Sequence, residues 1–558
     1  MPSKKIYFLL YAALFIAYIG GLFLQIMEVD AAQYAAMGME MLKNKSYLKL
    51  FDGGVPYLDK PPLHVWLAAL SFKIFGISDF AYRIPSFLAS ILAVYSTYRF
   101  ARQWYSSNVA NWSALILAAC QAFFLFNQDV KTDNVLTSMV IFSIWQLSTF
   151  IKTSKPLPFI LGFMGIGMAM LAKGPLGFMV PAAALGSHLL LQRDWKRIFN
   201  FRWLLGIPII LIVLSPFLVG LYQQWGTYGL RFFFWTQSFG RITGESQWNN
   251  HTDPFYFVHT FLWAFLPWTF VAVAAIYHSG KEVIKSKFRL ANGVEGFTIG
   301  GFVVMFLALS LSKYKLPHYI FVLFPLAAIM TARWIIELWE HKKLTFKWLS
   351  RFQTGIYCLL TAGIMTILWL VFQPVNMLIF TIVTITAMVA IIVSIRGTNA
   401  FVKIIVPGVL IMAAVNTGLN FDFYKRLLEY QSSNKVGQII TSPPYDKIHF
   451  YYYCVHGCHS LNYYSRQIVG PMYPNTLDDT LSKYDIIVYA DDAGRRQIIN
   501  NYYKIVNGNE YENIMLKDYA VQALNFKFLN PKTRPDVVHK MYLLHLAKIE
   551  DCHPELKK

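Results

Sequence analysis

Residues 157–192 read LPFILGFMGIGMAMLAKGPLGFMVPAAALGSHLLLQ, and Lys173 interrupts this otherwise uncharged run of more than thirty residues. About 20 apolar residues in a helix cross the hydrocarbon core of a bilayer, which is about 30 Å thick. The run therefore predicts two membrane spans, 157–172 and 174–192, with Lys173 between them. A charge beside lipid is costly to keep, and a structural loop does not require one, so Lys173 is a candidate functional residue.

The rest of the chain repeats this pattern. Of its 558 residues, 56% are hydrophobic and only 14% are charged, whereas soluble proteins average about 25% charged residues. Windows of about 20 apolar residues occur roughly thirteen times. The sequence therefore predicts an α-helical polytopic membrane protein with about thirteen transmembrane helices. The predicted spans are 6–27, 82–103, 109–126, 134–152, 157–172, 174–192, 203–221, 255–278, 293–312, 317–338, 352–372, 376–395 and 402–420.

The basic residues are placed asymmetrically. A net charge of +20 would suggest a nucleic-acid partner in a soluble protein, but here lysine and arginine gather in every second connection between spans. This positive-inside pattern predicts a cytoplasmic N-terminus and, with an odd number of spans, a C-terminal segment outside; no nucleic-acid partner is expected. The basic start of the first span resembles a signal peptide, but its long apolar stretch and the lack of a small-residue cleavage site favour an uncleaved anchor.

Composition divides the chain into two predicted domains. Residues 1–425 form the transmembrane domain, which includes two outer loops at 28–80 and 222–254. Residues 426–558 regain Asp, Asn, Lys and Tyr and contain no window long enough to span, so they predict a soluble extracytoplasmic α/β domain. Residue patterns in this domain predict four elements: strands at 447–454 and 485–490, a helix at 493–504, and either a strand or a helix at 537–547.

Two cysteines lie close together in the motif CVHGCH, residues 454–459. In an oxidising compartment the simplest expectation is a local disulfide between Cys454 and Cys458. A zinc site that uses His456, His459 or Cys552 is an alternative. Haem attachment is disfavoured because three residues, rather than two, separate the cysteines.

Polar residues at the outer ends of the spans are the candidates for chemistry. Asp30 follows the first span in MEVDAAQY, and Tyr34 shares its face if the loop opens as a helix. The structural alternative is that Asp30 only caps that helix. In YLDKPPLHVW, residues 57–66, two prolines fix the backbone beside Asp59 and Lys60, so Lys60 is either a partner for a lipid phosphate or a solvated loop lysine.

Further candidates lie on the same predicted side. They are Asp133 in NQDVKTDN, for which ordinary loop polarity is the alternative, Lys173, Arg241 in RFFFWTQSFGRITG, and Lys313, Lys315 and Tyr319 in SKYKLPHY. Together the outer-face groups would clamp an anionic lipid headgroup with cations, while carboxylates orient or deprotonate an incoming hydroxyl. This inventory favours a transferase, because transporters usually place such charges at mid-bilayer on broken helices.

Taken in order, these motifs resemble those of the bacterial aminoarabinose transferases and their protein O-mannosyltransferase relatives. The resemblance covers most of residues 1–330 and rests on six segments: Asp30 to Tyr34, Tyr57 to Pro62, Phe75 to Pro85, Thr132–Asp133, Ala172 to Pro175 and Lys313 to Tyr319.

The resemblance implies a GT-C fold and inverting transfer of a sugar from undecaprenyl phosphate, or a dolichyl equivalent, at the outer face of the bacterial inner membrane. It implies that Asp30 and Asp133 are the required carboxylates and that Lys60 and Arg241 hold the carrier phosphate. It also implies that further residues line the same cavity. These are Tyr34, Tyr57, Asp59, Lys173 and Tyr319.

Two departures from the family pattern bear on metal and substrate. The aminoarabinose transferases bind a metal through a glutamate before Lys-Pro-Pro and a histidine before the arginine, where this chain has Asp59 and Ser238. No metal ligand is therefore assigned, although a divalent metal is not excluded. Ala31, Ala32 and Gln33 replace the acid and arginine common between the family's aspartate and tyrosine, which weakens the case for aminoarabinose.

The expected partners are a polyprenyl-phosphate sugar donor, membrane lipids and an envelope acceptor, which is lipid A, another glycan, or protein Ser/Thr. Two functions from other classes remain as alternatives. A transporter or flippase for a polyprenyl-linked sugar would need a similar anion site, and a scaffold would depend on the outer domain alone.

Overall fold

The computed structural model describes residues 3–237, 240, 252–291, 293–453, 455, 457–500 and 514–546. Over these residues the chain is mainly α-helical and ends in a small mixed sheet. The helices of its first part are α1 (Lys4–Leu22), α2 (Asp30–Asn44), α3 (Leu63–Phe75), α4 (Asp79–Trp104), α5 (Ser107–Ala118), α6 (Gln121–Gln128), α7 (Thr132–Thr153), α8 (Pro156–Lys173), α9 (Leu176–Gln192), α10 (Trp195–Ile198) and α11 (Gly206–Arg231).

The second part of the helical region continues with α12 (Tyr256–Ala264), α13 (Thr269–Lys285), α14 (Phe297–Ser310), α15 (Phe324–His341), α16 (Lys343–Thr366), α17 (Met377–Arg396), α18 (Val406–Gly418) and α19 (Tyr424–Leu428). Short 3-10 or π-helical turns adjoin several of these helices. They are Phe201–Leu205, Phe232–Thr236, Pro317–Leu323, Ile367–Val371, Phe401–Ile405 and Leu419–Phe423.

The prediction of a helical protein that crosses the membrane several times is confirmed. Among the described residues, eight helical segments are long and apolar enough to cross a membrane, or nine if α5 and α6, bent by 48°, form one span. A helix also lies at each of the other predicted span positions, but these helices are shorter, broken or less apolar: α4, α9, α12 with α13, and α14. The protein is therefore a multi-pass membrane protein, and eight or nine of the predicted thirteen spans meet a strict length and hydropathy requirement.

The segment between α1 and α4 holds the elements that matter most for the site. It contains α2, a two-stranded hairpin of β1 (Phe51–Asp52) and β2 (Val55–Pro56), and α3. The hairpin end of this loop is tied to α11, since Gln224 exchanges hydrogen bonds of 2.8 and 3.2 Å with the backbone of Leu50. At Gly220 a Cβ would lie 1.9 Å from the Leu48 carbonyl oxygen, so only glycine allows α11 to approach the loop this closely.

The C-terminal region, defined here as the described residues from 432 to 546, contains a five-stranded sheet with strand order β4-β3-β5-β7-β6. Strand β3 pairs in parallel with β4 and β5, whereas β7 is antiparallel to β5 and β6. The strands are β3 (His449–Tyr453), β4 (Gly470–Met472), β5 (Ile486–Asp491), β6 (Ile514–Asp518) and β7 (His539–Leu546). The helices are α20 (Ser432–Ile440), α21 (His459–Tyr464), α22 (Pro474–Leu481), α23 (Asp492–Asn500) and α24 (Phe526–Leu529).

The tail predictions agree with this sheet where both can be compared. The predicted strands at 447–454 and 485–490 are β3 and β5, the predicted helix at 493–504 corresponds to α23, and the ambiguous segment 537–547 is the strand β7. The disulfide expectation is wrong for Cys458, which is a free thiol; Cys454, His456 and Cys552 lie outside the described residues.

Candidate active site

A cavity of about 340 Å³ collects most of the predicted site residues. It opens among α2, the loop after β2, the segment between α6 and α7, the end of α8, and the 3-10 turn before α15. Eight predicted residues line it: Asp30, Tyr34, Tyr57, Asp59, Lys60, Asp133, Lys173 and Tyr319. The ninth, Arg241, lies outside the described residues, as does Ser238.

Asp30 is the first residue of α2, and its partner is a lysine rather than the helix backbone. The Nζ atom of Lys131 lies 2.9 Å from Asp30 Oδ2 and 3.1 Å from Asp129 Oδ2. Burial opposes ionisation of Asp30, but the charges of Lys131, Lys60 and Lys173 outweigh it and hold the pKa of this carboxyl below its usual value. No capping hydrogen bond is made at the start of α2, so the capping alternative is not supported.

Tyr34 follows one turn later on the same face of α2, as expected if the loop opens as a helix. Its side chain is only 4% exposed, and its ring meets that of His64 edge-on at 5.5 Å. His64 in turn lies 3.3 Å from the Tyr82 hydroxyl. These buried contacts fix the orientation of α2 relative to α3 and α4, and thus the position of Asp30.

Lys60 and Asp59 form a neighbouring pair, with Lys60 Nζ 2.5 Å from Asp59 Oδ2. Pro61 and Pro62 follow, and α3 begins at Leu63. Because the two prolines restrict the backbone at Lys60 and immediately after it, its ammonium is held at the cavity wall. The Lys60 side chain is 18% exposed, so the interpretation of Lys60 as a solvated loop lysine is wrong.

Asp133 is the most deeply buried charge of the site. Its side chain is 1% exposed, and its Oδ1 atom lies 2.5 Å from Lys173 Nζ. Its Oδ2 atom lies 3.6 Å from His318 Nε2. Lys173 also lies 3.9 Å from the centre of the Tyr319 ring, a cation–π distance. Asp133, Lys173, His318 and Tyr319 therefore form one connected group at the cavity floor, which contradicts the ordinary-loop interpretation of Asp133.

Arg83, from the motif at residues 75–85, supports the site without lining the cavity. This residue of α4 is 1% exposed and donates to the carbonyl oxygens of Leu24, Gln25 and Gln128. Those carbonyls belong to the two segments that lead into Asp30 and Lys131. A single buried guanidinium, with five donors in a rigid plane, thus fixes both approaches to the site.

The structure adds residues that the sequence interpretation missed. Lys131, His318, Tyr314 and Gln33 line the cavity, and all four lie inside motifs already quoted for other residues. Their positions in those motifs were the available signal. In contrast, the predicted Lys315 does not line the cavity, and it donates to the carbonyls of Thr252 and Asp253 at 3.0 and 3.2 Å. Lys313 is exposed and does not line the cavity.

The described part of the cavity does not fit a metal ion. Asp30, Asp59 and Asp133 each face a lysine at 2.9 Å or less. Among the described residues, the one group of three metal-type ligands within 4.8 Å of one another is His278, Glu282 and Glu337, remote from the cavity. Arg333 and Lys342 already pair with its two carboxylates.

A second, mostly apolar cleft adjoins the polar cavity. Its volume is about 80 Å³, and it shares Lys60, Lys173, Tyr314 and Tyr319 with the cavity. Its remaining lining comes mainly from α9 and α14 and includes Leu176, Met179, Met305, Ala308 and Leu309. The lysines therefore stand at the boundary between a polar cavity and an apolar cleft, an arrangement that suits an amphiphile with an anionic head.

The chain is similar to known glycosyltransferases in sequence. Residues 59–219 match the family model described as dolichyl-phosphate-mannose-protein mannosyltransferase. The undecaprenyl phosphate-alpha-4-amino-4-deoxy-L-arabinose arabinosyl transferase of Edwardsiella ictaluri is 27% identical over 322 residues, which are 56% of each chain. The enzyme of the same name from Pseudomonas paraeruginosa is 27% identical over 346 residues, 60% of each chain. The chain thus matches a little more than half of the length of these relatives.

The architecture is similar over nearly the whole chain. The crystal structure of ArnT from Cupriavidus metallidurans bound to undecaprenyl phosphate superimposes with a TM-score of 0.71 and 16% identity, covering 98% of both chains. Its apo structure gives a TM-score of 0.70 and 15% identity, covering 96% of this chain and 97% of that one. This chain therefore has the GT-C fold of membrane glycosyltransferases, and in sequence it resembles the aminoarabinose transferases and the protein mannosyltransferase family.

Proposed function

We propose that the protein is an inverting glycosyltransferase that takes a sugar from a polyprenyl phosphate carrier, undecaprenyl phosphate, and transfers it to an envelope acceptor. The acceptor classes are lipid A, another glycan, or protein Ser/Thr. The observation that carries the proposal is the cavity itself, in which Lys60, Lys173 and Lys131 converge with Asp30 and Asp133. An apolar cleft that begins at two of these lysines supports a prenyl carrier as donor.

The lysines match the demands of the leaving group. When the bond between the anomeric carbon and the carrier phosphate breaks, the phosphate gains charge and departs as a stable anion. Acid catalysis is therefore less important than electrostatic stabilisation of the developing charge. Lys60 and Lys173 lie where the polar cavity meets the apolar cleft, so we assign the carrier phosphate to them; Arg241 remains a further candidate by sequence.

We propose that Asp30 acts on the nucleophile, which is the acceptor group that attacks the sugar. Its depressed pKa keeps it ionised at neutral pH, so it can accept a hydrogen bond from an acceptor hydroxyl and take the proton as the new bond forms. An acceptor phosphate is already ionised, and Asp30 would then only orient it. Asp133 is held by Lys173 and His318, and we propose that it fixes Lys173 in place for the phosphate.

The charged residues at the two ends of α7 support an orientation of the protein in the membrane. Asp133 lies in the first turn of α7 and Lys152 in its last turn, about 28 Å apart along the axis at the rise of an α-helix. The basic residue Lys152 thus lies at the opposite end of α7 from the cavity residue Asp133. By the positive-inside rule we propose a bacterial inner-membrane protein with a cytoplasmic N-terminus, and with the cavity and the domain at 426–558 on the periplasmic side.

The test is turnover by purified protein in phospholipid nanodiscs. The donors are undecaprenyl-phosphate-linked 4-amino-4-deoxy-L-arabinose and undecaprenyl-phosphate-linked hexoses, the first acceptor is lipid A, and the measurement is release of free undecaprenyl phosphate by mass spectrometry. Asp30→Asn and Lys60→Ala are expected to lower the rate at least about 100-fold, while Lys73→Ala, an exposed lysine on α3, leaves it unchanged.

Normal turnover by well-folded Asp30→Asn and Lys60→Ala proteins would end the proposal. Movement of intact lipid-linked sugar across the bilayer, without cleavage of its glycosyl-phosphate bond, would instead identify a flippase.

A further inference from the structure

The C-terminal region is bonded directly to the segment that carries Asp30. The backbone amides of His459 and Ser460, at the start of α21, donate to Glu28 Oε1 and Oε2 at 3.1 and 2.8 Å. The amide of Glu28 itself donates to Gln431 Oε1 at 2.9 Å. Glu28 stands two residues before Asp30, so the entry to α2 is fixed by contacts with residues more than 400 positions away.

The far end of α21 makes a second attachment to the same segment. The Tyr464 hydroxyl accepts from the amide of Ile26 at 2.7 Å and donates to Asp79 Oδ1 at 2.7 Å. Tyr464 is 5% exposed and packs with Tyr463 in one apolar cluster with α2 and α3. Helix α21 is therefore an integral part of the packing around α2.

His459 bridges two carboxylates of the first loop. Its Nδ1 atom lies 3.3 Å from Glu28 Oε1, and its Nε2 atom lies 3.2 Å from Asp52. Asp52 Oδ2, which also lies 3.2 Å from His459 Nε2, accepts a 2.7 Å hydrogen bond from Gln33 Nε2. Gln33 lines the catalytic cavity one turn from Asp30. A continuous chain of contacts thus runs from the C-terminal region to the cavity wall through His459, Asp52 and Gln33.

The chemistry of Asp52 determines how the Gln33 amide is oriented. An ionised carboxylate only accepts hydrogen bonds, so Asp52 must take the NH₂ end of the amide. The carbonyl oxygen of Gln33 is then left to accept from a hydroxyl or amine of a bound substrate. If Asp52 moved away, the amide would be free to rotate.

We infer that His459 is a positioning residue for sugar transfer, which holds Asp52 and, through it, the acceptor oxygen of Gln33 at the wall of the cavity. The inference rests on the proposed function. It also gives the C-terminal region a role in the reaction itself, because the imidazole that completes the first-loop network comes from that region.

The test is a double-mutant cycle in nanodiscs with a donor that the wild-type protein uses. His459→Ala and Gln33→Met are each expected to lower kcat about 10-fold, and the double variant to be no slower than the slower single variant. KM for the donor should stay within about 3-fold of wild type. His459→Gln, which restores one donor toward Asp52, should recover part of the rate, and His539→Ala, an exposed histidine of β7, is the matched control.

Binding of undecaprenyl phosphate, measured by native mass spectrometry, gives a readout besides turnover and should be unchanged in all variants. Wild-type kcat in His459→Ala would overturn the inference, and so would multiplicative losses in the double variant. If His459→Ala does not yield a monodisperse protein, the same cycle is run with His459→Gln. Absence of transfer by the wild-type protein would instead contradict the proposed function.

Discussion

The ammonium of Lys173 lies 2.5 Å from the carboxylate of Asp133, which is 1% exposed. Removal of one partner from a buried ion pair leaves an uncompensated charge and costs about 3–5 kcal/mol. We therefore expect Lys173→Met to lower the thermal unfolding temperature and to abolish transfer. Adding Asp133→Asn should recover most of the stability but none of the activity. Thermal unfolding of the wild type, Lys173→Met and the double variant tests this, and a Lys173→Met protein as stable as the wild type would contradict it.

Lys131 should control the acid limb of the reaction. Burial is the largest influence on the pKa of Asp30 and acts to raise it. Lys131 is the next largest influence and acts to lower it, and the resulting pKa lies below the usual 3.8. The reactive ionised form is thus present above that value and is lost as pH falls through the lowered pKa. In Lys131→Met the pKa of Asp30 should rise, so the acid limb of the kcat profile should move to higher pH. Lys131→Arg should keep the wild-type limb, and an unshifted limb in the methionine variant would refute the assignment.

The apolar cleft should sense the length of the prenyl chain. Ala308 lines it, and a phenylalanine there would fill most of its roughly 80 Å³. We expect Ala308→Phe to raise KM for an undecaprenyl donor about 10-fold and to leave KM for a short-chain prenyl donor nearly unchanged. Leu307→Phe, an exposed neighbour on α14, serves as control. Equal effects on long and short donors would show that the chain lies elsewhere.

His459 makes the stability of the first-loop network dependent on pH. Burial would lower its pKa, but hydrogen bonds and charge from Asp52 and Glu28 outweigh burial and raise the pKa to about 9. Its stabilisation is thus complete below its unfolded value near 6.5 and is lost as pH rises through about 9. The wild-type unfolding temperature should therefore fall between pH 7 and 10 by more than that of His459→Gln. Parallel curves for the two proteins would contradict this.

The predictable residues of the site were charged residues that are unexpected in their local sequence. Lys173 inside an apolar run, Lys60 beside two prolines, and Asp30 and Asp133 at the ends of spans all line the cavity. A membrane span or a loop does not require these charges for its own structure, so the local sequence indicated that they have another role. Lys131 and His318 lie in the same motifs, but nothing in the local sequence distinguishes them from the other polar residues there. Their importance arises from distances to Asp30 and Asp133 that only the packed helices set.

The same limit applies to the fold. Long apolar helices and the strands β3 and β5, rich in Tyr, Ile and Val, were predictable from composition. The three-residue strand β4 and the strand β6, with the sequence IMLKD, carry no alternating pattern. They are strands because β3 and β7 offer them hydrogen-bonding edges. Likewise, nothing near Lys315 in the sequence indicates that it serves backbone carbonyls rather than the cavity.

The bond from Ser460 to Glu28 joins residues 432 positions apart, and this span has a consequence for biogenesis. The ribosome makes Glu28 early, but its partner emerges only after every span has been inserted. The nascent chain therefore cannot complete the network around α2 until residues 459–464 have been made. The complete set of contacts around the start of α2 must therefore await the folding of α21, and we expect a truncated product that ends before His459 to lack these contacts.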